Sequence, residues 1–162
     1  MKQLLFALII STFFSTNIIA QGSLTGLKYF IVQVSFDKDL ETEGYNSETI
    51  KTDTELELRL ADLNVINYEQ YDYDKINKTA SLVIEVRAMV EEIGYIFHIS
   101  VGVMEAVTVP RLNRDDYAAM TWGKSTLGIT PSGYKGWRFI RDNVKDLVDK
   151  FLNAYLKDNP KN

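Results

Sequence analysis

Cysteine is absent from the 162 residues, and histidine occurs once, at position 98. Without cysteine the chain has no disulfide framework, no thiol nucleophile and no sulfur ligand for a metal ion. A catalytic triad or an imidazole-ligated metal centre would have to be built on His98 alone. Folding must therefore rely on a hydrophobic core, for which nine tyrosines, eight phenylalanines and two tryptophans supply large side chains.

Positive charge is scattered, and the formal net charge is -4. Proteins that bind nucleic acid need a clustered basic face to neutralise phosphates, so we expect no nucleic-acid partner. The same absence argues against docking on anionic lipid. The glycines do not form a phosphate-binding loop, and we expect no cofactor and no metal centre. Whether the acidic segments hold calcium at millimolar concentration stays open.

The first twenty residues predict a secretory signal peptide. Lys2 precedes the apolar run Leu4–Ile10, and the segment closes on the small residue Ala20. The run is too short to span a bilayer, so no transmembrane segment is expected after cleavage. We expect an exported protein, periplasmic or secreted, whose residues 21–162 form a single domain with 17 basic and 22 acidic residues, a net charge of -5. The lack of cysteine favours a bacterial source.

The first half of this domain reads as strand, loop, helix and short strand. Residues 27–36 are rich in β-branched and aromatic residues and predict a strand with apolar side chains on both faces. The acidic stretch 37–44 predicts a loop. A helix is expected from Ser47 to Leu63, with Leu56, Leu60 and Leu63 as its buried stripe. Asn64 is expected to take the left-handed cap, before a short strand at 65–66.

The second half contains the clearest hairpin. Alternating side chains predict that Val90 pairs with Tyr95 across the turn 91–94, so that both apolar sets share one face. A further strand is expected at 117–124, with Met120 and Trp122 on one side, followed by a loop at 128–136. Residues 137–155 then carry apolar side chains at steps of three and four, which predicts an amphipathic helix ended by Asn159-Pro160.

These elements predict an α+β fold. One apolar sheet face and two amphipathic helices make a two-layer sandwich, in which a mixed or antiparallel sheet of four to five strands is packed by the helices.

Two groups of polar or aromatic side chains are candidates for function. The second face of the hairpin carries Glu85, Arg87, His98 and Ser100. A histidine beside a glutamate and a serine resembles a hydrolase site, but cross-strand polar pairs on a solvent-exposed face explain these residues better. Tyr68, Tyr71 and Tyr73 cluster near acidic residues in a loop, and exposed tyrosine is a favourable contact residue in interfaces. Together they form the expected interaction surface: Tyr68, Tyr71, Tyr73, Glu85, Arg87 and His98.

The element order also resembles that of small exported bacterial domains. The first strand, the helix that ends in Leu-x-x-Leu-Asn-Val-Ile at 60–66, the hairpin and the packing helix are similar to the N-terminal domain of TolB and to curli-assembly and penicillin-binding-protein activator lipoproteins. The resemblance implies a role in the cell envelope. No lipobox cysteine follows the leader, so lipoprotein anchoring does not carry over, and no family site residue can be transferred.

The sequence therefore predicts a non-enzymatic, exported protein-interaction module of the bacterial envelope. One alternative is a small-ligand carrier with a pocket lined by Trp122, Trp137 and Phe151. Another is a hydrolase that uses acidic residues. The partner and the oligomeric state are not indicated by the sequence.

Overall fold

One face of a five-stranded sheet carries the helices. The computed structural model describes residues 24–42, 44–70, 78–91, 94–112, 114–130 and 134–160. The strands are β1 (Tyr29–Phe36), β2 (Asn64–Val65), β3 (Thr79–Glu91), β4 (Gly94–Val109) and β5 (Arg114–Thr130). The helices are α1 (Lys38–Thr42), α2 (Ser47–Leu60) and α3 (Tyr134–Asp158), with 3-10 turns at Tyr68–Gln70 and Pro110–Leu112.

The sheet is mixed, with strand order β2-β1-β3-β4-β5. β1 runs parallel to both β2 and β3, whereas β3, β4 and β5 are antiparallel neighbours. Val90 pairs with Tyr95, as the alternation predicts. The expected α+β class, with five strands and two long helices, is confirmed.

The core lies between the sheet and the helices. Phe151 of α3 is fully buried and meets Phe30 and Trp122 edge to face, at ring-centroid distances of 5.5 and 5.6 Å. The predicted apolar stripe of this helix is confirmed, with five side chains almost fully buried: Ile140, Val144, Leu147, Val148 and Phe151. Burial of each large apolar side chain stabilises the fold by about 1.5–3 kcal/mol, so this helix is an integral part of the core.

The buried stripe of α2 differs from the predicted one. Leu56 and Leu60 are 56% and 77% exposed, whereas Leu58 is fully buried. Ile50, Thr54 and Leu58, spaced by four, form the buried face instead. The prediction failed because it followed the spacing of the three leucines, whereas the buried face includes Thr54, a threonine whose methyl group packs at such a position.

The end of α2 is also three residues earlier than expected, and its left-handed cap is two residues earlier. Asp62, with φ of 65°, takes the left-handed position that was assigned to Asn64. The Leu63 N–H donates to the Leu58 carbonyl, and the Asp62 N–H donates to the Arg59 carbonyl, at 3.0 Å each. These two bonds form a Schellman motif that also seals Leu63 against Leu58.

The acidic stretch predicted as a loop contains helix α1, so that prediction was wrong. Leu40 is fully buried, and its N–H donates to the Asp37 carbonyl at 3.0 Å. Gly44, with φ of 85°, ends the turn, and the Tyr45 N–H reaches back to the Leu40 carbonyl. Leu40 and the buried Tyr45 anchor this acidic segment on the core, and the turn between them pairs several of its backbone groups.

Strand β5 is longer than predicted and contains a bulge. Val103 pairs with Trp122 but the next residue, Met104, pairs with Met120. Thr121 is therefore the extra residue, and Met120 and Trp122 lie on opposite faces rather than on one. The loop expected at 128–136 is wrong at both ends, because Gly128 continues the strand beneath the Phe97 ring and α3 already begins at Tyr134.

The predicted signal peptide lies outside the described residues. Among the helices that are described, none combines the length and the apolar character that a membrane span requires.

Candidate interaction surface

The side chains of β3, β4 and β5 that point away from the helices form the surface that we call the open face. Along β4, Phe97, Ile99 and Val101 are buried on the core side, while His98 between them is exposed. The strand registers align the open face into rows that cross all three strands. One row contains Arg87, His98 and Leu127, and its neighbour contains Met89, Ile96 and Ile129.

The predicted polar pairs are present at the centre of this face. Arg87 pairs with His98 and Glu85 pairs with Ser100, as the hairpin register required. The Arg87 Nη1 donates to Asp37 Oδ1 at 2.9 Å, and its Nη2 lies 3.7 Å from Glu85 Oε1. The guanidinium therefore joins the end of β1 to the middle of the sheet.

Asp37 is the half-buried end of this network. Its second carboxylate oxygen accepts the Ala88 N–H at 2.9 Å. Burial by itself raises the pKa of Asp37, but the hydrogen bonds from Arg87 and Ala88 and the charge of Arg87 outweigh it, so the pKa lies below its ordinary value of 3.8. The same contacts raise the pKa of Arg87. Both groups stay ionised at physiological pH.

His98 does not form a catalytic relay with its neighbours. Within the described residues, no hydrogen bond joins its ring to Ser100 or Glu85, and Glu85 faces Arg87 instead. The hydrogen-bonded chain from nucleophile to base to acid is therefore not formed by these side chains. Across the same part of the chain, no group of three or more acidic or histidine side chains is arranged to hold a metal ion.

An apolar strip lies beside the polar centre. It consists of Met89, Ile96, Leu127 and Ile129, which occupy neighbouring rows of three adjacent strands. Met89, Leu127 and Ile129 are 64%, 72% and 59% exposed, and Ile96 is half-buried between them. Water therefore contacts most of this apolar surface.

Met120 adds a further exposed apolar side chain on the same face. It lies across Gly102 and Gly123, where a Cβ on Gly102 would come within 2.7 Å of its Cε atom. The two glycines face each other on adjacent strands, and their lack of side chains leaves a shallow depression that Met120 occupies. This side chain has a flexible thioether and can adapt to a contacting surface.

Tyr68 stands at the β1 side of the sheet. Its hydroxyl accepts a hydrogen bond from Gln33 Nε2 at 2.7 Å, and the same amide donates to Ser81 Oγ at 2.9 Å. The ring is 66% exposed. Tyr71 and Tyr73 lie outside the described residues, so the tyrosine cluster stays a prediction.

Leu127 and Ile129 were missed because the glycine at 128 was read as the start of a loop. The alternation of residues 126–130, Thr-Leu-Gly-Ile-Thr, was the available signal, since it continues the period of two seen in the preceding strand.

The rings proposed for a carrier pocket lie in two different environments. Trp122 and Phe151 pack against each other in the core. Trp137 is half-buried against Tyr45, with a centroid distance of 5.5 Å, and lines an open groove of about 490 Å³ between α2 and α3. Two ion pairs line that groove, Arg141 with Asp53 at 2.6 Å and Lys145 with Glu57 at 2.9 Å.

No protein-family profile matches the chain, and no curated protein matches it in sequence. Two solved structures are similar in shape. One is a neuraminyllactose-binding hemagglutinin homolog from Helicobacter pylori, with a TM-score of 0.44 and 9% identity, over 82% of this chain and 84% of that one. The other is a minor lipoprotein from Acinetobacter baumannii, with a TM-score of 0.36 and 8% identity, over 81% and 92%. At these TM-scores the likeness carries no functional argument, and the resemblance to the TolB and curli-assembly domains stays a prediction.

Proposed function

We propose that this is an exported, non-enzymatic protein of the bacterial cell envelope, which acts by binding another protein through the open face. The apolar strip on that face is the observation that carries the proposal. The envelope assignment rests on the predicted signal peptide.

The composition of the open face is that of a binding surface. Grouped apolar side chains that are exposed in a free protein mark contact sites, because burying them releases free energy of about 25 cal/mol per Å². Here the strip adjoins Arg87, His98 and Ser100, a polar border of the kind that surrounds the apolar centre of many interfaces. The partner is therefore an envelope protein that presents apolar side chains edged by polar groups.

Site-specific photo-cross-linking in cells tests the proposal. A photoreactive residue replaces Met89, on the open face, or Leu60, which is more exposed but lies on α2 in the helical layer. We expect a discrete adduct with one envelope protein from position 89 and none from position 60. Equal adducts at both positions, or none at position 89, would overturn the proposal.

A further inference from the structure

Backbone hydrogen bonds determine which edge each strand residue faces. The Phe30 carbonyl accepts the N–H of Ile66, which follows β2, whereas the Asp37 N–H donates to the Val86 carbonyl of β3. Neighbouring residues of a strand direct their backbone groups to opposite edges. The backbone groups of Val86 point toward β1, so the backbone groups of Arg87 point toward β4.

The strand registers carry this alternation to the outer strand. Arg87 and His98 are therefore a backbone hydrogen-bonded pair of the β3–β4 ladder. The backbone groups of the next residue, Phe97, then point toward β5, where Phe97 pairs with Gly128. The backbone groups of Leu127 and Ile129, on either side of Gly128, then point toward the outer edge of β5. By the same count, the backbone groups of Gly123 and Ser125 also face outward.

The C-terminal part of the outer edge of β5, residues 122–130, has few of the features that protect an edge strand. β5 is the last strand in the order of the sheet. Between Tyr117 and Thr130 the sequence contains a single charged residue, Lys124, and no proline. Edge strands that do not associate are shielded by charge, proline or bulges, and both register shifts between β4 and β5 lie before Trp122 of β5. The outward backbone groups of residues 123, 125, 127 and 129 therefore form a nearly uncharged edge, along which no strand of the described part of the chain pairs.

A second copy of the chain fits this edge. The nine-residue segment has Thr126 at its midpoint, so an antiparallel two-fold pairing about Thr126 uses all of it. Ser125 then faces Leu127 of the partner subunit, and Gly123 faces Ile129 of the partner subunit. Lys124 faces the small Gly128 of the partner subunit, so no like charges oppose each other. Four outward pairs would add about eight backbone hydrogen bonds.

The pairing also joins the two apolar strips. Leu127 lies at the edge of the open face, and the two-fold axis brings Leu127 of the partner subunit within diagonal reach, about 7–8 Å between Cα atoms. The strips become one continuous apolar surface across both subunits.

We infer that β5 pairs antiparallel with β5 of a second copy about Thr126, so that two five-stranded sheets form one continuous sheet. This inference concerns the edge of the sheet and does not depend on the proposed function of its face.

The absence of cysteine makes a direct test available. In the variant Thr126→Cys, two cysteines meet at the two-fold axis, where Cα atoms of a non-hydrogen-bonded pair lie about 4.5 Å apart, within disulfide range. We expect mild oxidation to convert it largely to a covalent dimer. Leu60→Cys, exposed on α2, measures random collisional cross-linking.

Analytical ultracentrifugation of the cysteine-free protein provides the second measurement. We expect a dimer that becomes monomeric in Leu127→Lys, which adds an edge charge at an exposed position, and that persists in Leu60→Lys. A monomer at all concentrations, a dimer unaffected by Leu127→Lys, or cross-linking of Thr126→Cys no greater than that of Leu60→Cys would overturn the inference. A different protein bound along β5 in place of the second copy would also overturn it.

Discussion

At the residue scale, two glycines in adjacent strands lie beneath side chains on opposite faces of the sheet, Gly128 on the core side and Gly102 on the open face. A Cβ on Gly128 would lie 2.6 Å from the Cζ atom of Phe97, a buried ring held in the core. We expect Gly128→Ala to lower the free energy of unfolding by about 1–3 kcal/mol, because the core is already filled there.

Gly102→Ala is the matched control. The atom that it would meet is the end of Met120, an exposed and flexible side chain that can move aside. Its effect should stay within about 0.5 kcal/mol. Urea denaturation of the two variants measures both values, and equal destabilisation would contradict the assignment of the two faces.

Asp37 gives a prediction about pH. Asp37→Asn removes a charged acceptor of bonds from Arg87 and Ala88, so we expect a loss of about 1 kcal/mol near neutral pH. The pKa of Asp37 is depressed in the folded state, so its stabilisation is complete above the unfolded value of 3.8 and is lost as the pH falls through the lower folded value.

The stability difference between wild type and Asp37→Asn should therefore be constant from pH 7 to about 5 and should shrink below about pH 4. Denaturant titrations across this range measure it. A difference that grows as the pH falls would show that Asp37 does not act through its ionised form.

At the element scale, two substitutions in α2 distinguish the buried stripe seen in the structure from the stripe predicted from the sequence. Leu58→Ala should cost about 2–5 kcal/mol, since it leaves a cavity beneath a fully buried position. Leu56→Ala, at an exposed position of the same helix, should change stability by no more than about 0.5 kcal/mol. Thermal unfolding of both variants tests this, and the reverse order would restore the stripe predicted from sequence.

The elements that the sequence predicted well are those with long and regular patterns. The β3–β4 hairpin repeats its alternation over many residues, and α3 repeats its stripe over several turns, so tertiary contacts reinforce the local signal. Two of the failures have a common cause. Leu40 and Thr54 are single residues whose burial depends on distant partners, and the leucine spacing and the acidic composition around them do not reveal such partners.

The candidate surface was partly predictable for the same reason. Arg87 and His98 follow from the hairpin register alone. The apolar strip was not predicted, because Gly128 was read as the start of a loop and Leu127 and Ile129 were therefore not assigned to a strand that pairs with β4.

At the scale of the whole molecule, the two layers divide the roles. The helical layer seals the core, and the ion pairs across the groove between α2 and α3 cover part of its outer surface. The open face has no such cover over β3–β5 within the described residues, and it holds both the polar centre and the apolar strip. The proposal places binding on this side only.

The most direct test of the central claim measures the photo-cross-linking yield from position 89 when Ile96, the residue beside it in the strip, is changed to lysine. Circular dichroism verifies that the Ile96→Lys variant is folded. We predict that the adduct with the envelope partner is lost, while Leu60→Lys on the helical side leaves the yield unchanged. An undiminished adduct in the folded Ile96→Lys variant would contradict binding through the open face.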